Sequence, residues 1–356
     1  MKEIVQGEYR AGVVRLRWRS ARKLALGLAA YLYLLPFYFC LPLAAAEPES
    51  AALAPLPQSI PAPGDNPTTD AKVRLGRQLF FDPRLSGDNT MSCAHCHLPE
   101  KALADGEKTS AGAGDRRLKR NTPSVLNTAF LSPLTWDGRA KSLEEQALGP
   151  ITSPVEMHQD LDELERELAE VPGYVRQFRD VFDQPPARGA IAKALAAFQR
   201  TLVSRRSPLD RYLEGEKDAL SASAKHGMEL FTGDAGCIRC HHGPLLSDGK
   251  FYRLGVSFRD EGRGAVTGKP DDAYKFRTPP LRDVARTAPY MHDGSLKTLA
   301  QVVEFYFRGA STSPPHGLSL DIQPQTDLSY SDIEDLTAFL RALSGEPPSV
   351  QRPELP

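Results

Sequence analysis

Three features are scarce in this sequence of 356 residues: an excess of basic charge, cysteine, and strand-like alternation of apolar and polar residues. The 44 basic residues are balanced by 45 acidic ones, which argues against a nucleic-acid partner. No segment alternates convincingly with a period of two, so the sequence predicts little β structure. Cysteine occurs only five times, and four of the five lie in two short motifs.

The two motifs share the pattern C-x-x-C-H, as Cys93-Ala-His-Cys96-His97 and Cys237-Ile-Arg-Cys240-His241. This pattern is typical of a c-type haem attachment site. Two thiols three positions apart on a helical turn can each add to one vinyl group of the same porphyrin, and the histidine that follows can bind the iron as its proximal ligand. The pair of motifs therefore predicts two covalently bound haems c.

Two other chemistries use cysteines in C-x-x-C pairs. One zinc ion could take all four thiolates, although the 144-position gap between the pairs is far above the usual spacing. An exported C-x-x-C could instead form a redox disulfide. Neither explains why a histidine follows each pair, so haem is the favoured interpretation, and zinc and disulfide stay as its alternatives.

The N-terminus has the features of an export signal. Residues 1–23 are basic, an apolar run follows over 24–43, and Ala44-Ala45-Ala46 offers a small-residue cleavage site. We expect residues 1–46 to be a signal peptide cleaved after Ala46, with an uncleaved membrane anchor as the alternative, because the run is nearly long enough to span a bilayer. Cleavage leaves 37 basic against 43 acidic residues, which strengthens the argument against nucleic acid.

The rest of the sequence predicts a mainly helical chain with long loops. Residues 47–67 are rich in Pro, Ala and Ser and predict a flexible tether. The remaining length predicts two domains with one haem motif each, over 68–206 and 207–330. A last helix, 331–345, is expected to begin in a capping box at Ser331 and to pack back on the first domain. Helical periodicity further predicts helices from about 69 to Pro83 and over 143–148, 161–169, 175–182, 191–202 and 223–231.

Four segments carry a resemblance to a known family: LGRQLFFDPRLSGDNTMSCAHCH (75–97), WDGRAKSLEEQALGPI (136–151), PVEM (154–157) and TPPLRDVARTAPYMHDGSLKTL (278–299). They resemble the bacterial dihaem cytochrome c peroxidases, a family that includes the MauG-type enzymes, and the match runs from about residue 66 to 343. The resemblance implies two cytochrome c-like haem domains. Peroxide reacts at the N-terminal haem of this family, and the C-terminal haem receives electrons.

The resemblance also implies roles for single residues. His97 and His241 match the proximal iron ligands. Glu156 matches a distal carboxylate, which can move a proton between peroxide oxygens, and Gln146 matches a polar residue that can hydrogen-bond the bound oxygen. Trp136 matches the tryptophan between the two haems that helps to relay electrons. The plainer alternatives are a surface acid that begins a helix for Glu156 and an ordinary core residue for Trp136.

A calcium ion is implied as well. Asn121, Thr287 and Pro289 match positions that hold one calcium between the domains through side-chain or backbone oxygens, the ligands that calcium prefers. For Asn121 the alternative is a simple turn residue.

Two departures from the typical peroxidase pattern affect the irons. The loop from Leu98 to Arg120 has no histidine, whereas many members carry one there that caps the first iron until the other haem is reduced. The family's methionine ligand to the second haem lies fourteen residues after the histidine of His-Asp-Gly, and counting from His292 that position is Tyr306. MauG-type enzymes also have tyrosine there, and a phenolate stabilises ferric and higher iron. The alternative is that Tyr306 only packs on the haem, and that Met291 or solvent completes the iron.

Three functions follow from these residues. The leading hypothesis is a periplasmic peroxidase that reduces hydrogen peroxide to water with electrons from a small donor, such as a c-type cytochrome or a cupredoxin. The second is a MauG-type oxidase that modifies residues of a partner protein through a high-valent two-haem state. The third is a dihaem electron-transfer cytochrome without enzymatic activity. Dimers are common in the family, which leaves a homodimer open.

Overall fold

A computed structural model describes residues 52–311, 317–319 and 329–356. The expected signal peptide, its cleavage site and the alternative membrane anchor lie outside these residues. Within them the chain is mostly helical and contains one two-stranded sheet, so the prediction of a mainly α fold with little β structure is confirmed. None of the described helices combines the length and the apolar character that a membrane crossing requires.

The described part of the chain contains eleven α-helices, several 3₁₀ turns and two short antiparallel strands. The helices are α1 (Asp70–Phe81), α2 (Cys93–Cys96), α3 (Leu143–Thr152), α4 (Leu161–Ala169), α5 (Pro172–Phe182), α6 (Arg188–Arg200), α7 (Pro208–Leu213), α8 (Ala222–Thr232), α9 (Arg263–Thr267), α10 (Leu299–Phe307) and α11 (Tyr330–Arg341). The strands are β1 (Phe251–Tyr252) and β2 (Phe276–Arg277).

Helices α1 and α6 form the centre of the first hydrophobic core. The Thr69 side chain caps α1 by accepting a hydrogen bond from the backbone N–H of Lys72. The two helices approach so closely that a Cβ on Gly76 would lie 1.9 Å from the carbonyl oxygen of Ala194. Phe80 and Phe198 meet edge to face beside this contact, with ring centroids 5.2 Å apart. Cys93 and Ala94 of the first motif pack against this core, which fixes α2 to a rigid support.

Helices α8 and α11 form the second core. Phe231 and Phe339 are fully buried between them, with ring centroids 5.0 Å apart. Gly227 again permits the close approach, because a Cβ there would lie 1.9 Å from the carbonyl oxygen of Asp335. Cys237 of the second motif packs against this core, so each motif has its own hydrophobic support.

The expected partner of the last helix is wrong. The prediction places a helix over 331–345 against residues 68–206, but α11 packs mainly on α8, because its apolar stripe faces Phe231. The residues after α11, and not the helix itself, return to the range 68–206. There the guanidinium of Arg84 donates to the carbonyl oxygen of Pro356 at 3.2 Å.

The expected start of the last helix is wrong as well. The capping box is formed by Ser329 and Asp332, two residues before the predicted Ser331. Each side chain accepts a hydrogen bond from the backbone N–H of the other, so the first turn of α11 is closed at Ser329.

Residues 52–67 are not the flexible tether that their composition predicts. The side-chain amide of Asn66 is fully buried and donates to the carboxylate of Glu144 at 2.7 Å. Leu56 is buried as well, and the carbonyl oxygen of Ala54 accepts a hydrogen bond from Arg282 at 3.0 Å. A Pro-rich segment has no helical or strand period, but its carbonyl groups and single buried side chains can still bind it to the body of the protein.

Candidate active site

Both C-x-x-C-H motifs open into a single cavity of about 1690 Å³. A pocket for one drug-sized ligand measures roughly 300–1,000 Å³, so this cavity has room for more than one such molecule. Its wall contains every predicted site residue of the two motifs, together with the other predicted catalytic and ligand residues. These are Cys93, Cys96, His97, Cys237, Cys240, His241, Asn121, Trp136, Gln146, Glu156, Thr287, Pro289 and Tyr306.

Each motif histidine is oriented by a contact between its ring nitrogen Nδ1 and a nearby backbone carbonyl oxygen. Nδ1 of His97 lies 3.0 Å from the carbonyl oxygen of Leu103, and Nδ1 of His241 lies 2.9 Å from that of Leu246. A protonated Nδ1 donates to this carbonyl and leaves the lone pair of Nε2 for a metal. Burial lowers the pKa of both imidazoles, which favours the neutral form that ligates iron.

The two leucines that hold these histidines share an unusual backbone conformation. Leu103 and Leu246 are buried and have positive φ angles of 57° and 51°. A bulky residue rarely adopts this conformation, so the surrounding packing must stabilise it. The sequence analysis missed both, although a leucine follows each motif histidine by five or six positions.

The four motif cysteines exclude the zinc alternative. Among the described residues, the only cluster of three or more potential metal-ligand atoms from His, Cys, Asp or Glu is His226, Asp332 and Asp335, and it contains none of the four motif cysteines. The four sulfurs therefore do not converge on one ion.

The cysteines also lack the features of a redox disulfide. Cys93, Cys96, Cys237 and Cys240 are all free in the described part of the chain. Burial raises the pKa of the Cys93 and Cys237 thiols to about 12, whereas redox-active cysteines have lowered pKa values. Two thiols and one oriented histidine at each end of the cavity fit covalent haem.

Glu156 and Gln146 belong to the first motif's end of the cavity. Burial, with smaller contributions from the nearby charges of Asp105 and Glu156, raises the pKa of the Cys96 thiol to about 11, which puts the Glu156 carboxylate close to this motif. Gln146 lies on α3, which begins at its cap Ser142. Neither the Glu156 carboxylate nor the Gln146 amide has a hydrogen-bond partner among the described residues, so both are available to a ligand in the cavity.

The loop after the first motif holds the backbone of Glu156. The N–H of Ala113 donates to the carbonyl oxygen of Glu156 at 2.7 Å. Next to this bond, a Cβ on Gly112 would lie 1.9 Å from the carbonyl oxygen of Val155, so only glycine permits the loop to lie this close. The histidine-free loop thus positions the carboxylate through the main chain.

Trp136 lies half-buried in the cavity wall, and both its indole and its backbone carbonyl form hydrogen bonds. The indole Nε1–H donates to the carbonyl oxygen of Asn121 at 2.9 Å, and its own carbonyl oxygen accepts from the N–H of Arg277 at 2.8 Å. This position on the cavity is compatible both with an ordinary core tryptophan and with a tryptophan that relays electrons.

An ion-pair network fixes the turn that follows Trp136. Arg120 lies 2.6 Å from Asp137 and 2.6 Å from Asp260. Burial alone would raise the pKa of the Asp137 carboxyl, but the hydrogen bonds and charge of Arg120 hold it at about 2. The sequence analysis did not identify this network, because its two acids lie 17 and 140 positions from the arginine.

The three predicted calcium ligands all line the cavity. Asn121 is buried and donates from its side-chain nitrogen to the carbonyl oxygen of Glu107 at 2.9 Å. Thr287 donates its hydroxyl to the carbonyl oxygen of Val284 at 3.2 Å, which leaves the hydroxyl oxygen able to accept or to bind a cation. Pro289 also lines the cavity.

Tyr306 is at the other end of the cavity, near the second motif. Burial raises its pKa, and the nearby Cys237 and Cys240 raise it further. Its hydroxyl has no hydrogen-bond partner among the described residues and is free to meet a ligand. Met291, the alternative ligand, lines the cavity too, so the placement leaves both assignments open.

Comparison with known proteins agrees with this site. The family described as di-haem cytochrome c peroxidase matches residues 70–218. The chain is 44% identical over 305 residues to the methylamine utilization protein MauG of Methylorubrum extorquens, which covers 84% of this chain and 86% of that protein. It is 38% identical over 334 residues to the cytochrome c551 peroxidase of Pseudomonas aeruginosa, with coverages of 89% and 92%.

Solved structures give the same result. A MauG-like protein associated with microbial copper homeostasis superposes with a TM-score of 0.75 at 35% identity, over 82% of this chain and 95% of that one. The two motifs, the shared cavity and these relatives lead to one conclusion: the chain is an oxidoreductase that belongs to the di-haem cytochrome c peroxidase family, whose members hold two haem groups.

Proposed function

We propose that this enzyme reduces hydrogen peroxide to water at the first motif, with electrons that a small redox protein delivers through the second. One observation carries the proposal: the Glu156 carboxylate and the Gln146 amide line the cavity of the first motif and have no hydrogen-bond partner among the described residues. An unpartnered carboxylate next to an open metal position is what proton transfer between peroxide oxygens requires.

The residues of the motifs fit two haems c. Nε2 of His97 and of His241 would bind the irons, and the two thiols of each motif would bind the porphyrins covalently. When bound, the haems supply the exchange of electrons with peroxide and with the donor.

The distal side chains would supply the proton chemistry. Reduction of one peroxide to two waters consumes two electrons and two protons. The carboxylate of Glu156 would accept a proton from one peroxide oxygen and return it to the other, the oxygen that leaves as water. The amide of Gln146 would donate a hydrogen bond that orients the peroxide.

Trp136 would connect the two ends of the cavity. Its indole is fixed by the Asn121 carbonyl, and its backbone is fixed by β2, so the ring keeps one orientation in the wall that both motifs share. A fixed aromatic ring between two redox centres is suited to relay electrons without a conformational change.

A MauG-type oxidase is the second candidate, and Tyr306 favours it. A tyrosine near the second motif would stabilise oxidised iron more strongly than a methionine does. The absence of a capping histidine between Leu98 and Arg120 points the same way, because the first iron would be open without prior reduction. In this case the electrons would come from side chains of a partner protein.

One experiment separates these functions from a simple electron carrier. The fully oxidised protein is mixed with stoichiometric peroxide, its haem spectrum is followed, and reduced cytochrome c is then added. Fast oxidation of cytochrome c supports the peroxidase. A long-lived oxidised spectrum with poor cytochrome c turnover supports the MauG-type oxidase, and an unchanged spectrum identifies an electron carrier.

We also propose one calcium ion at Asn121, Thr287 and Pro289, export of the protein to the periplasm, and one haem in each of the ranges 68–206 and 207–330. Calcium is supported by the oxygen atoms that these residues present to one cavity wall. Metal analysis before and after dialysis against a calcium chelator tests it: one calcium per chain is expected before, and a metal-free preparation would contradict the assignment.

A further inference from the structure

Arg277 is a buried cation that has no carboxylate partner in the part of the chain that the structure describes. It is 5% exposed, lies on β2 and lines the cavity. Its guanidinium donates only to main-chain carbonyl oxygens, from Nε to Thr135 at 3.1 Å and from Nη1 to Thr278 at 3.3 Å. No carboxylate of the described residues lies within ion-pair distance, and burial lowers its pKa to about 10. The described residues therefore leave its charge uncompensated.

Two other buried arginines show what the chain does elsewhere. Arg282 forms a two-pronged ion pair with Asp210, at 2.8 and 2.9 Å. Arg200 lies 2.5 Å from Glu144. Buried charges in proteins are paired, because an isolated ion in a low-dielectric interior is strongly unfavourable. Arg277 follows this rule only if its counter-ion comes from the occupant of the cavity.

We propose that Arg277 binds a propionate carboxylate of one of the two haems, beside Trp136. The propionates are the anionic groups of the cofactor, and the planar guanidinium matches a carboxylate with two parallel hydrogen bonds. The assignment rests on the presence of two haems and not on the reaction that the enzyme catalyses.

The position of Arg277 connects the two ends of the cavity. Its backbone N–H donates to the carbonyl oxygen of Trp136 at 2.8 Å. Through the strand pair it lies opposite Phe251, and the adjacent Tyr252 donates its hydroxyl to Asp248 at 2.6 Å, close to the second motif. A propionate bound here would tie the cofactor to the Trp136 turn.

Arg263 provides a matched control. Its guanidinium donates to the carbonyl oxygens of Asp137 and Gly138, at 3.0 and 2.9 Å, and so supports the same turn as Arg277. It also has no carboxylate among its ion pairs in the described part of the chain, but it does not line the cavity. Replacing either arginine by glutamine removes one positive charge and weakens the same turn, and only Arg277→Gln removes a cation from the cavity.

The test uses the haem-loaded protein and two readouts other than activity. Spectroelectrochemistry gives the reduction potential of each haem, and resonance Raman spectroscopy gives the bending band of the haem propionates. Arg277→Gln is expected to lower the potential of one haem, because a nearby positive charge favours the reduced state, and to shift the propionate band. Arg263→Gln is expected to leave both unchanged.

Two results would overturn the proposal: unchanged potentials and propionate bands in Arg277→Gln, or equal shifts in both variants, which would assign the effect to the turn. If Arg277→Gln does not fold, Arg277→Lys keeps the charge and loses the planar fork. Arg277→Lys should then keep the reduction potentials of the haems close to the wild-type values and still shift the propionate band. A propionate band at the wild-type position would contradict the proposal. A wild-type protein that fails to turn over peroxide would disprove the peroxidase function and leave this test intact.

Discussion

Trp136 donates its indole N–H to the main-chain carbonyl oxygen of Asn121 at 2.9 Å. The residue proposed to relay electrons is therefore bound to a residue proposed to hold calcium. The N–H of Asn121 in turn donates to the carbonyl oxygen of His292 at 2.8 Å. The orientation of the indole thus depends on the loops that carry the calcium residues.

Trp136→Phe should slow electron transfer between the haems and lower the stability slightly. The substitution removes the indole N–H, a hydrogen bond of about 0.5–1.5 kcal/mol, and the larger ring. Rapid-mixing spectroscopy of half-reduced protein measures the transfer rate. Tyr330→Phe, at an 84% exposed aromatic residue, is the control. An unchanged rate in Trp136→Phe would remove this residue from the electron route.

Glu156→Gln should reduce kcat/KM for peroxide by about 10²–10⁴-fold, the usual contribution of a positioned acid–base group. The amide keeps the size of the side chain, so the haem spectrum should stay close to wild type. Steady-state peroxidase kinetics measure the loss. Glu100→Gln, at an exposed acid in the 3₁₀ turn after the first motif, should behave as wild type. If both variants keep full activity, Glu156 is only a surface acid.

Tyr306→Met should raise the reduction potential of the second haem by a sizeable part of the roughly 0.8 V that axial ligands span. The reason is that a thioether stabilises reduced iron better than a phenolate does. Redox titration with optical detection measures the change, and Tyr330→Met controls for loss of a tyrosine at the surface. A wild-type potential and spectrum would mean that Tyr306 does not bind the iron.

Gly76→Ala should destabilise the protein by about 1–3 kcal/mol, the usual cost of overpacking a core. The new Cβ would lie 1.9 Å from the carbonyl oxygen of Ala194 and would force α1 away from α6. Gly189→Ala on α6 meets nothing within 4 Å and should stabilise by about 0.4–1 kcal/mol. Denaturant unfolding of the haem-loaded variants compares the two, and equal effects would contradict the close helix contact.

His226 should stabilise the protein more at acidic than at alkaline pH. Its Nδ1 lies 2.7 Å from Oδ2 of Asp335, and this hydrogen bond raises the pKa of the imidazole. The folded state therefore binds the proton more tightly than the unfolded chain. The resulting stability is fully present below the unfolded pKa of about 6.5 and disappears as the pH rises through the folded value.

The melting temperatures of His226→Gln and wild type at pH 5.5 and pH 9 measure this effect. A larger difference at pH 5.5 is expected. In the background of Asp335→Asn the pH dependence of the difference should become smaller, since the hydrogen-bonded carboxylate is gone and only the more distant charges of Asp332 and Glu229 remain. A difference that is the same at both pH values would show that the pair contributes nothing through its charge.

The sequence predicted most helices well because their signals are local. Helix α1 begins after Thr69 and ends before Pro83, where a capping side chain and a residue without a backbone N–H act within one turn. The helix predicted over 161–169 has the same limits in the structure for a similar reason, since Asp160 caps it.

The errors came from interactions between distant segments. The composition of residues 47–67 predicts a tether, but the buried Asn66 is bound to Glu144, 78 positions away. The last helix shows the right periodicity, yet its partner α8 is chosen by a close helix contact at Gly227 that no local pattern reveals.

The site residues also divide into those with a local signal in the sequence and those that depend on contacts between distant segments. The two motifs and the segments around Glu156 and Trp136 could be recognised because each is contiguous in the sequence, and all of them line one cavity. Arg277 could not be recognised, because its significance lies in having no acid nearby among the described residues of the folded chain.

The shared cavity also has a consequence for the biogenesis of this protein. Each motif packs on one of the two hydrophobic cores, so the walls of the cavity are continuous with the interior that stabilises the fold. Without the cofactors, the apolar walls of this cavity would face solvent, and the stabilisation that their burial supplies would be lost. The amount of intact protein in a cell should then follow the supply of haem, and chains that lack the cofactors would be removed by proteases before they could react with peroxide.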